Sequence, residues 1–182
     1  AQRRPLEVGE PRDAIQLDQF VVHYQPQVDM VGHVTGIEAL IRWHRPGDGL
    51  ELPAAFIAIA EETDLINDIG DWVLANVCQQ IRSWRESGIA VPRVAVNLSA
   101  RQLRQAALPA RVAQLLASHD VPARLLELEV TESAAMENPQ QAARRLGELG
   151  ALGITVTIDD FGTGYSSLAY LKSLPIDSLK ID

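Results

Sequence analysis

The fold is decided by the stretch Ile154-Thr155-Val156-Thr157-Ile158-Asp159-Asp160, an alternating apolar run that ends in two acids. Four further apolar runs carry a polar residue on one side-chain parity near their C-terminal ends: 37–43, 94–99, 126–132 and 179–182. Side chains in a strand alternate between two faces, so each polar residue points away from its apolar neighbours. We therefore expect five strands to direct polar side chains into one space: Glu38, Asn97, Glu129, Asp159 and Lys180.

This polar space is predicted to bind metal. Crowded carboxylates repel one another and lose hydration, which is tolerated mainly when a divalent cation compensates their charge. Asn97 and Glu129 offer oxygen ligands that suit a hard cation such as Mg²⁺ or Mn²⁺. The adjacent acids Asp159 and Asp160 can each face a different cation, whereas a solvated turn is the alternative for this loop. The four histidines form no i, i+4 pair, which argues against zinc.

The bulk composition describes one acidic domain. The 182 residues are 47% hydrophobic, enough for a sizeable core, and 16 basic against 24 acidic residues give a formal charge of −8. This charge argues against generic nucleic-acid binding through counterion release. A phosphorylated ligand would need local cations in its cleft.

The compartment is predicted to be the cytoplasm. Cys78 is the only cysteine, so no disulfide can form within the chain, and we expect this residue to be a buried small hydrophobe. The sequence shows no signal peptide and no apolar run of membrane-spanning length. It starts without Met and stops at Asp182 inside a strand pattern, which indicates a fragment of a longer protein.

The order of elements predicts a hairpin followed by β/α units. Only residues 30–33 separate the strand Phe20 to Asp29 from the strand beginning at Val34, and a parallel crossover needs a dozen residues or more, so these strands should pair antiparallel. Helices and strands then alternate, which is typical of parallel β/α units. The predicted helices cover 53–62, 66–87, 110–118, 140–149 and about 166–173, after one or two turns within 13–19. The later strands cover 93–99, 125–132, 154–160 and 178–182.

Two architectures compete for this pattern: a barrel and an open doubly wound sheet. Helices cover both faces of an open sheet, so every residue of its strands should be apolar. Here alternate residues of the strands are polar, which favours the barrel. We predict a TIM-like (β/α)8 barrel with an antiparallel first strand, here with about six of its eight strands, because roughly 250 residues are typical of that fold. Residues 1–12 are expected to be a linker or helical lead-in, and 13–182 the domain without its last two β/α units.

Several ordered motifs resemble those of the EAL domain, the bacterial phosphodiesterase module for cyclic di-GMP. The matching segments are Tyr24-Gln25-Pro26, Glu38-Ala39-Leu40 with Arg42-Trp43, Pro53 with Phe56-Ile57 and Ala60-Glu61, Val96 to Ser99, Glu129 to Ser133, Asp159 to Leu168 and Leu179 to Asp182. The resemblance runs from about residue 13 to the end. It departs from the family pattern where Asp64 replaces a usual Gly, and where a late Glu-Gly-Val-Glu motif would lie beyond Asp182.

The resemblance implies a role for each matching residue. Glu38, Asn97, Glu129 and Asp159 would hold a first metal ion and Asp160 a second, while Lys180 and Asp182 would position the attacking water. Gln25, Leu40 and Arg42 would contact the dinucleotide. Glu132 would anchor the loop that includes Phe161, Gly162, Thr163 and Gly164.

The resemblance therefore implies a phosphodiesterase that uses two Mg²⁺ or Mn²⁺ ions to hydrolyse cyclic di-GMP to linear pGpG. A homodimer is expected, fused in its parent to sensory or GGDEF-type cyclase domains, and residues 1–182 alone are expected to be inactive. The alternative is a receptor that binds cyclic di-GMP without cutting it. Two simpler interpretations stay open: a buried Glu38–Arg42 salt bridge, and a structural ion pair of Lys180 with Asp160 or Asp182.

Overall fold

A computed structural model describes residues 10–162 and 174–181 of the chain. Its centre is a seven-stranded sheet with the order β1-β2-β4-β5-β6-β7, and the short β3 pairs with β2. The strands are β1 Phe20–Val28, β2 Val34–Arg45, β3 Gly49–Glu51, β4 Arg93–Leu98, β5 Leu126–Thr131, β6 Thr155–Phe161 and β7 Ser178–Ile181. Thr163, Gly164, Asp182 and the helix predicted near 166–173 lie outside the described residues.

The first two strands form the predicted antiparallel hairpin, with Phe20 opposite Trp43 and Gln25 opposite Glu38. Its turn is organised by the carboxylate of Asp29, which accepts hydrogen bonds from the backbone N–H of Val31 at 3.0 Å and of His33 at 2.9 Å. An aspartate that bonds the backbone a few residues ahead stabilises a tight turn. The short connection therefore sets the direction of β1.

Strand β4 pairs in parallel with β2, and β5, β6 and β7 each pair in parallel with the strand before them. The helices are α1 Glu10–Gln16, α2 Pro53–Glu62, α3 Leu65–Glu86, α4 Ala100–Arg104, α5 Leu108–Ser118, α6 Glu132–Glu137 and α7 Pro139–Ala151, with a 3₁₀ turn at Ala123–Leu125. Within the described residues, β1 and β7 are the two ends of the sheet, so the barrel is not closed. None of the described helices is both long and apolar enough to cross a membrane.

The core lies between the sheet and the helices that pack on it, of which α3 is the longest. The apolar parity of each central strand is buried, as shown by Val96, Leu128 and Val156, and the stripe Ile69 to Ile81 of α3 belongs to the same hydrophobic cluster. Burial of apolar surface contributes roughly 25 cal/mol per Å² to folding. The opposite strand parity is left for polar side chains.

The structure corrects several predicted boundaries. Strand β3 and helices α4 and α6 were not predicted, and Glu132, expected as the last strand residue, is the first residue of α6. The reason is helix capping, because the side chain of Thr131 accepts a hydrogen bond from Ala134 N–H at 3.2 Å. The first helix lies at 10–16 instead of within 13–19, and the backbone turns at Asp18, where φ is 51°.

Candidate functional site

The predicted polar side chains share one face of the sheet. Asn97 is registered with Glu129, Glu129 with Thr157, and Thr157 with Ser178 across successive parallel pairs. Glu38 lies on the same parity through its pairing with Ala95, and Asp159 through its pairing with Thr131. Paired residues in a parallel ladder project to the same side of the sheet. We call this side the polar face.

Two contacts join predicted site residues of different strands on the polar face. The side-chain amide of Asn97 donates to Oε1 of Glu38 at 3.0 Å. The ammonium of Lys180 donates to Oε1 of Glu129, which comes from a strand 51 residues earlier. The ion pair considered for Lys180 therefore forms, but its partner is Glu129 and not Asp160, while Asp182 lies outside the described residues.

Glu129 is the most constrained acid of this group. It is 1% exposed, and its second oxygen, Oε2, is buried with no hydrogen-bond partner among the described residues. Burial raises the pKa of Glu129 to about 6, the charges of Glu38 and Glu127 add to the rise, and Lys180 opposes it. A buried carboxylate oxygen without a partner is costly, and a bound cation would satisfy it.

Lys180 lies in the combined field of three acids. Desolvation lowers the pKa of its ammonium, but the hydrogen bond and charge of Glu129, together with the charges of Glu38 and Asp159, more than offset this and raise it. The side chain is therefore a cation that faces the candidate metal ligands of three other strands. Positive charge is favoured at this position.

The described side chains do not yet form a complete metal site. Within residues 10–162 and 174–181, no three Asp, Glu, His or Cys side chains are grouped so that they could hold one ion. The donor chemistry nevertheless fits a hard cation, because Glu38, Asn97, Glu129 and Asp159 offer only oxygen ligands and one of those oxygens is buried without a partner. The chemical type of these ligands thus suits Mg²⁺ or Mn²⁺.

The two adjacent acids at the end of β6 diverge. Asp159 is half-buried on the polar face, whereas Asp160 is exposed and has a left-handed backbone with φ of 54°. The pairing of β6 with β7 shifts register between Ile158 and Phe161, which brackets both acids. A register shift of this kind redirects side chains at a strand end. Asp159 and Asp160 are therefore able to face different ligands.

The predicted loop anchor makes a direct contact at the start of its loop. Glu132 is buried, and its Oε2 accepts a hydrogen bond from the backbone N–H of Gly162 at 2.8 Å. Gly162 has φ of 99°, a conformation that favours glycine. The half-buried Phe161 packs against the core immediately before it. Glu132 thus connects the start of α6 to the loop after β6.

The predicted substrate contacts surround the same strand ends. Gln25 is exposed and lies opposite Glu38 in the hairpin, and Leu40 lines a cavity of about 480 Å³ together with Asn97 and residues of α2 and α3. Arg42 donates to the carbonyl of Ile41 at 2.8 Å, while Glu38 accepts from Asn97. Among the ion pairs of residues 10–162 and 174–181, none joins Glu38 to Arg42, so the salt bridge considered from sequence is not formed there.

Sequence reasoning missed a second polar layer on the same face. Glu127, Thr157 and Ser178 lie two residues before Glu129, Asp159 and Lys180, and they are hydrogen-bonded to one another. The signal was present, because residues i and i+2 of a strand share a face. These three residues have no counterpart among the motifs that carried the resemblance.

Comparison with known proteins adds independent support for the fold. The sequence model described as the EAL domain matches residues 9–182. The chain belongs to the EAL domain family. A solved structure titled as a PaMucR phosphodiesterase in complex with c-di-GMP superposes on this EAL domain with a TM-score of 0.92 and 46% identity, covering 97% of this chain and 72% of that one. The predicted TIM-like barrel with an antiparallel first strand, here incomplete, is confirmed.

Two curated relatives of this EAL domain carry functional names. The chain is 48% identical over 172 residues to the bifunctional diguanylate cyclase/cyclic di-GMP phosphodiesterase MucR of Pseudomonas aeruginosa, covering 94% of this chain and 25% of that protein. It is 43% identical over 171 residues to the cyclic di-GMP phosphodiesterase PdeR of Escherichia coli, with coverage of 94% and 26%. The EAL domain thus spans about a quarter of the length of these relatives.

Proposed function

We propose that this EAL domain is a phosphodiesterase module that hydrolyses cyclic di-GMP to linear pGpG. The observation that carries the proposal is the position of Lys180. Its ammonium donates to the buried Glu129, and the negative charges of Glu38 and Asp159 stabilise its positive charge. Relatives at 43% and 48% identity are named as cyclic di-GMP phosphodiesterases, which supports the same substrate.

The metal requirement is part of this proposal. Glu38, Asn97, Glu129 and Asp159 would hold one Mg²⁺ or Mn²⁺ ion, and Asp160 would contribute to a second. Such ions, when bound, polarise phosphate oxygens and lower the pKa of water. Two observations support this assignment. Oε2 of Glu129 is buried and has no hydrogen-bond partner among the described residues, and all four proposed ligands offer oxygen atoms.

The protein's own side chains would orient the reactants. Lys180 carries donor hydrogens that can hold a water molecule beside the acids, and Asp182 is assigned to the same task by resemblance. Arg42 would make a charge-assisted contact to a phosphate, while Gln25 and Leu40 would contact the rest of the dinucleotide. The bond from Gly162 to Glu132 would keep the loop from Phe161 to Gly164 in place during binding.

The proposal also covers the protein's context. We propose a homodimer in the cytoplasm whose parent chain carries sensory or GGDEF-type cyclase domains. MucR, of which this chain covers about a quarter, is named as both a cyclase and a phosphodiesterase, which supports such a fusion.

The decisive experiment is hydrolysis of cyclic di-GMP by the intact protein with Mg²⁺ or Mn²⁺, compared with its Glu38→Ala and Glu129→Gln variants. We expect each variant to lose about 100-fold or more in rate, because even residues that only support metal ligands contribute about 10- to 100-fold. Glu86→Ala is the matched control, since Glu86 is an exposed acid paired with Arg82 on α3. Equal rates for wild type and Glu38→Ala would refute the proposal. Binding of cyclic di-GMP without turnover would establish the receptor function instead.

A further inference from the structure

The polar layer beneath the candidate site is a directed chain of hydrogen bonds. The hydroxyl of Thr157 donates to Oε1 of Glu127 at 2.6 Å, and its oxygen lies 2.6 Å from the hydroxyl of Ser178. Because an ionised carboxylate can only accept, the single Thr157 hydrogen points to Glu127, and Ser178 must donate to Thr157. The order of donation is therefore Ser178 to Thr157 to Glu127.

Arg93 binds Glu127 at the other end of this hydrogen-bond chain. Its Nε lies 2.9 Å from Oε2 of Glu127, and its guanidinium also donates to Oγ1 of Thr155 at 2.9 Å. Glu127 thus has both oxygens bonded, one to a cation and one to a hydroxyl. The chain crosses four adjacent strands, β4, β5, β6 and β7.

Glu127, Thr157 and Ser178 each stand two residues before a residue of the candidate site. Glu127 precedes Glu129 on β5, and Ser178 precedes Lys180 on β7. Four residues of β7 are described, and the pairing of β7 with β6 is interrupted by a register shift after Leu179. The ladder alone therefore gives Lys180 little lateral support, whereas the hydroxyl bond of Ser178 lies immediately before it.

We propose that Glu127, Thr157 and Ser178 are positioning residues, which hold β7 against β5 and β6 so that Lys180 meets Glu129. Thr157 is the central link, because it is 1% exposed and bonds both of its neighbours. Thr157 therefore acts through Lys180 and Glu129. It is not among the described residues that line the cavity beside Leu40. The catalytic consequence rests on the proposed phosphodiesterase function, but the positioning itself does not.

The test compares Thr157→Val with Thr157→Ser in the intact protein. Valine has nearly the shape of threonine but cannot donate or accept, whereas serine keeps the hydroxyl. With cyclic di-GMP and Mn²⁺, we expect Thr157→Val to lower kcat about tenfold or more while KM stays within twofold, because no substrate contact is removed. Thr157→Ser should retain kcat within about threefold. Thr63→Val is the control, since the hydrogen bonds that the Thr63 hydroxyl makes within the described part of the chain go to backbone carbonyls of α2.

A second measurement, by NMR, observes the Lys180 side chain directly and does not require the protein to hydrolyse a substrate. In protein labelled with ¹³C at the lysine Cε, the Lys180→Arg variant identifies the Lys180 signal by its loss. We expect this signal to shift in Thr157→Val and to stay in place in Thr157→Ser and Thr63→Val. If Thr157→Val does not fold, Ser178→Ala serves instead, because Ser178 is exposed and its loss leaves no cavity.

The outcomes separate this inference from the proposed function. A wild-type protein that does not hydrolyse cyclic di-GMP, but whose Lys180 signal moves in Thr157→Val, would end the phosphodiesterase proposal and keep the positioning role. A folded Thr157→Val protein with an unchanged Lys180 signal would overturn the positioning role whatever its rate. An unchanged kcat in an active enzyme would overturn it as well.

Discussion

The side-chain amide of Asn97 donates a hydrogen bond of 3.0 Å to Oε1 of Glu38, which joins β4 to β2. This bond fixes which amide atom faces the carboxylate, so the carbonyl oxygen of Asn97 is directed elsewhere. Two proposed ligands of one ion are thus already oriented by each other. Pre-oriented ligands bind a metal more tightly than mobile ones.

The first prediction concerns this pair. Asn97→Ala should weaken Mn²⁺ binding by about 10- to 100-fold, because it removes one oxygen and the bond that holds Glu38. Isothermal titration with Mn²⁺ measures the effect. Asn76→Ala on α3 is the matched control, since the Asn76 amide donates to the carbonyl of Trp72 in its own helix and is not one of the proposed ligands. The same Mn²⁺ affinity in Asn97→Ala and wild type would contradict the proposed ligand set.

A second prediction concerns the close approach of helices α3 and α4 at Gly70 and Gln102. A Cβ added to Gly70 would lie 1.8 Å from Nε2 of the buried Gln102, whose side chain also caps α4 by accepting from Ser99 N–H at 3.1 Å. Gly70→Ala must displace Gln102 and break this capping box, so we expect a loss of about 1–3 kcal/mol of unfolding free energy in urea.

Gly147→Ala provides the control for that experiment. Gly147 lies inside helix α7, and among the described atoms its added Cβ would meet Pro175 Cγ at an ordinary 3.6 Å and no other atom within 4 Å. Alanine is the better helix former by about 0.5–1 kcal/mol, so this variant should be as stable as wild type or slightly more stable. A Gly70→Ala protein as stable as Gly147→Ala would contradict the prediction and show that Gln102 moves without cost.

The third prediction is a loss of stability at alkaline pH. Burial raises the pKa of Cys78 from 9.0 to about 11, and burial followed by the charge of Cys78 raises the pKa of Tyr24 from 10.0 to about 12. The unfolded chain therefore releases these protons at lower pH than the folded chain does. The free energy of unfolding should fall as pH rises from 9 towards 12. Urea unfolding at pH 8, 9, 10 and 11 measures the slope, and Tyr24→Phe should reduce it above pH 10.

The same burial predicts an inert thiol. Cys78 is 1% exposed on α3, and thiolate is the reactive form, so native protein at pH 8 should resist alkylation by iodoacetamide for hours. Denatured protein should react within minutes. Mass spectrometry of samples taken with time distinguishes the two. Rapid modification of the native protein would show that α3 opens locally.

The fourth prediction concerns the bond between Glu132 and the loop after β6. Glu132→Ala removes the acceptor for Gly162 N–H, so hydrogen exchange at this amide should become at least tenfold faster. Glu132→Gln keeps an acceptor oxygen and should retain much of the protection. Glu137→Ala is the control, because Glu137 is an exposed acid of the same helix, paired with Arg104. Exchange that is equally slow in wild type and Glu132→Ala would disprove the anchor.

Most of the regular structure could be predicted from local signals. The short connection between residues 29 and 34 sets the antiparallel hairpin, and the alternation in 154–160 sets both the strand and its polar face. Helices α4 and α6 escaped prediction because each is short. The side chains of Ser99 and Thr131 cap these helices at their N-termini, so each helix begins where the alternating sequence pattern still predicts a strand.

The sequence by itself determined which side chains share the polar face, because strand parity is a local property that alternates residue by residue. Only the tertiary structure decided that Lys180 meets Glu129 rather than Asp160, and that Thr157 joins Ser178 to Glu127. These contacts depend on the stagger between neighbouring strands. That stagger is set by the packing of helices on the other face of the sheet, across separations of 21 to 51 residues that no local pattern records.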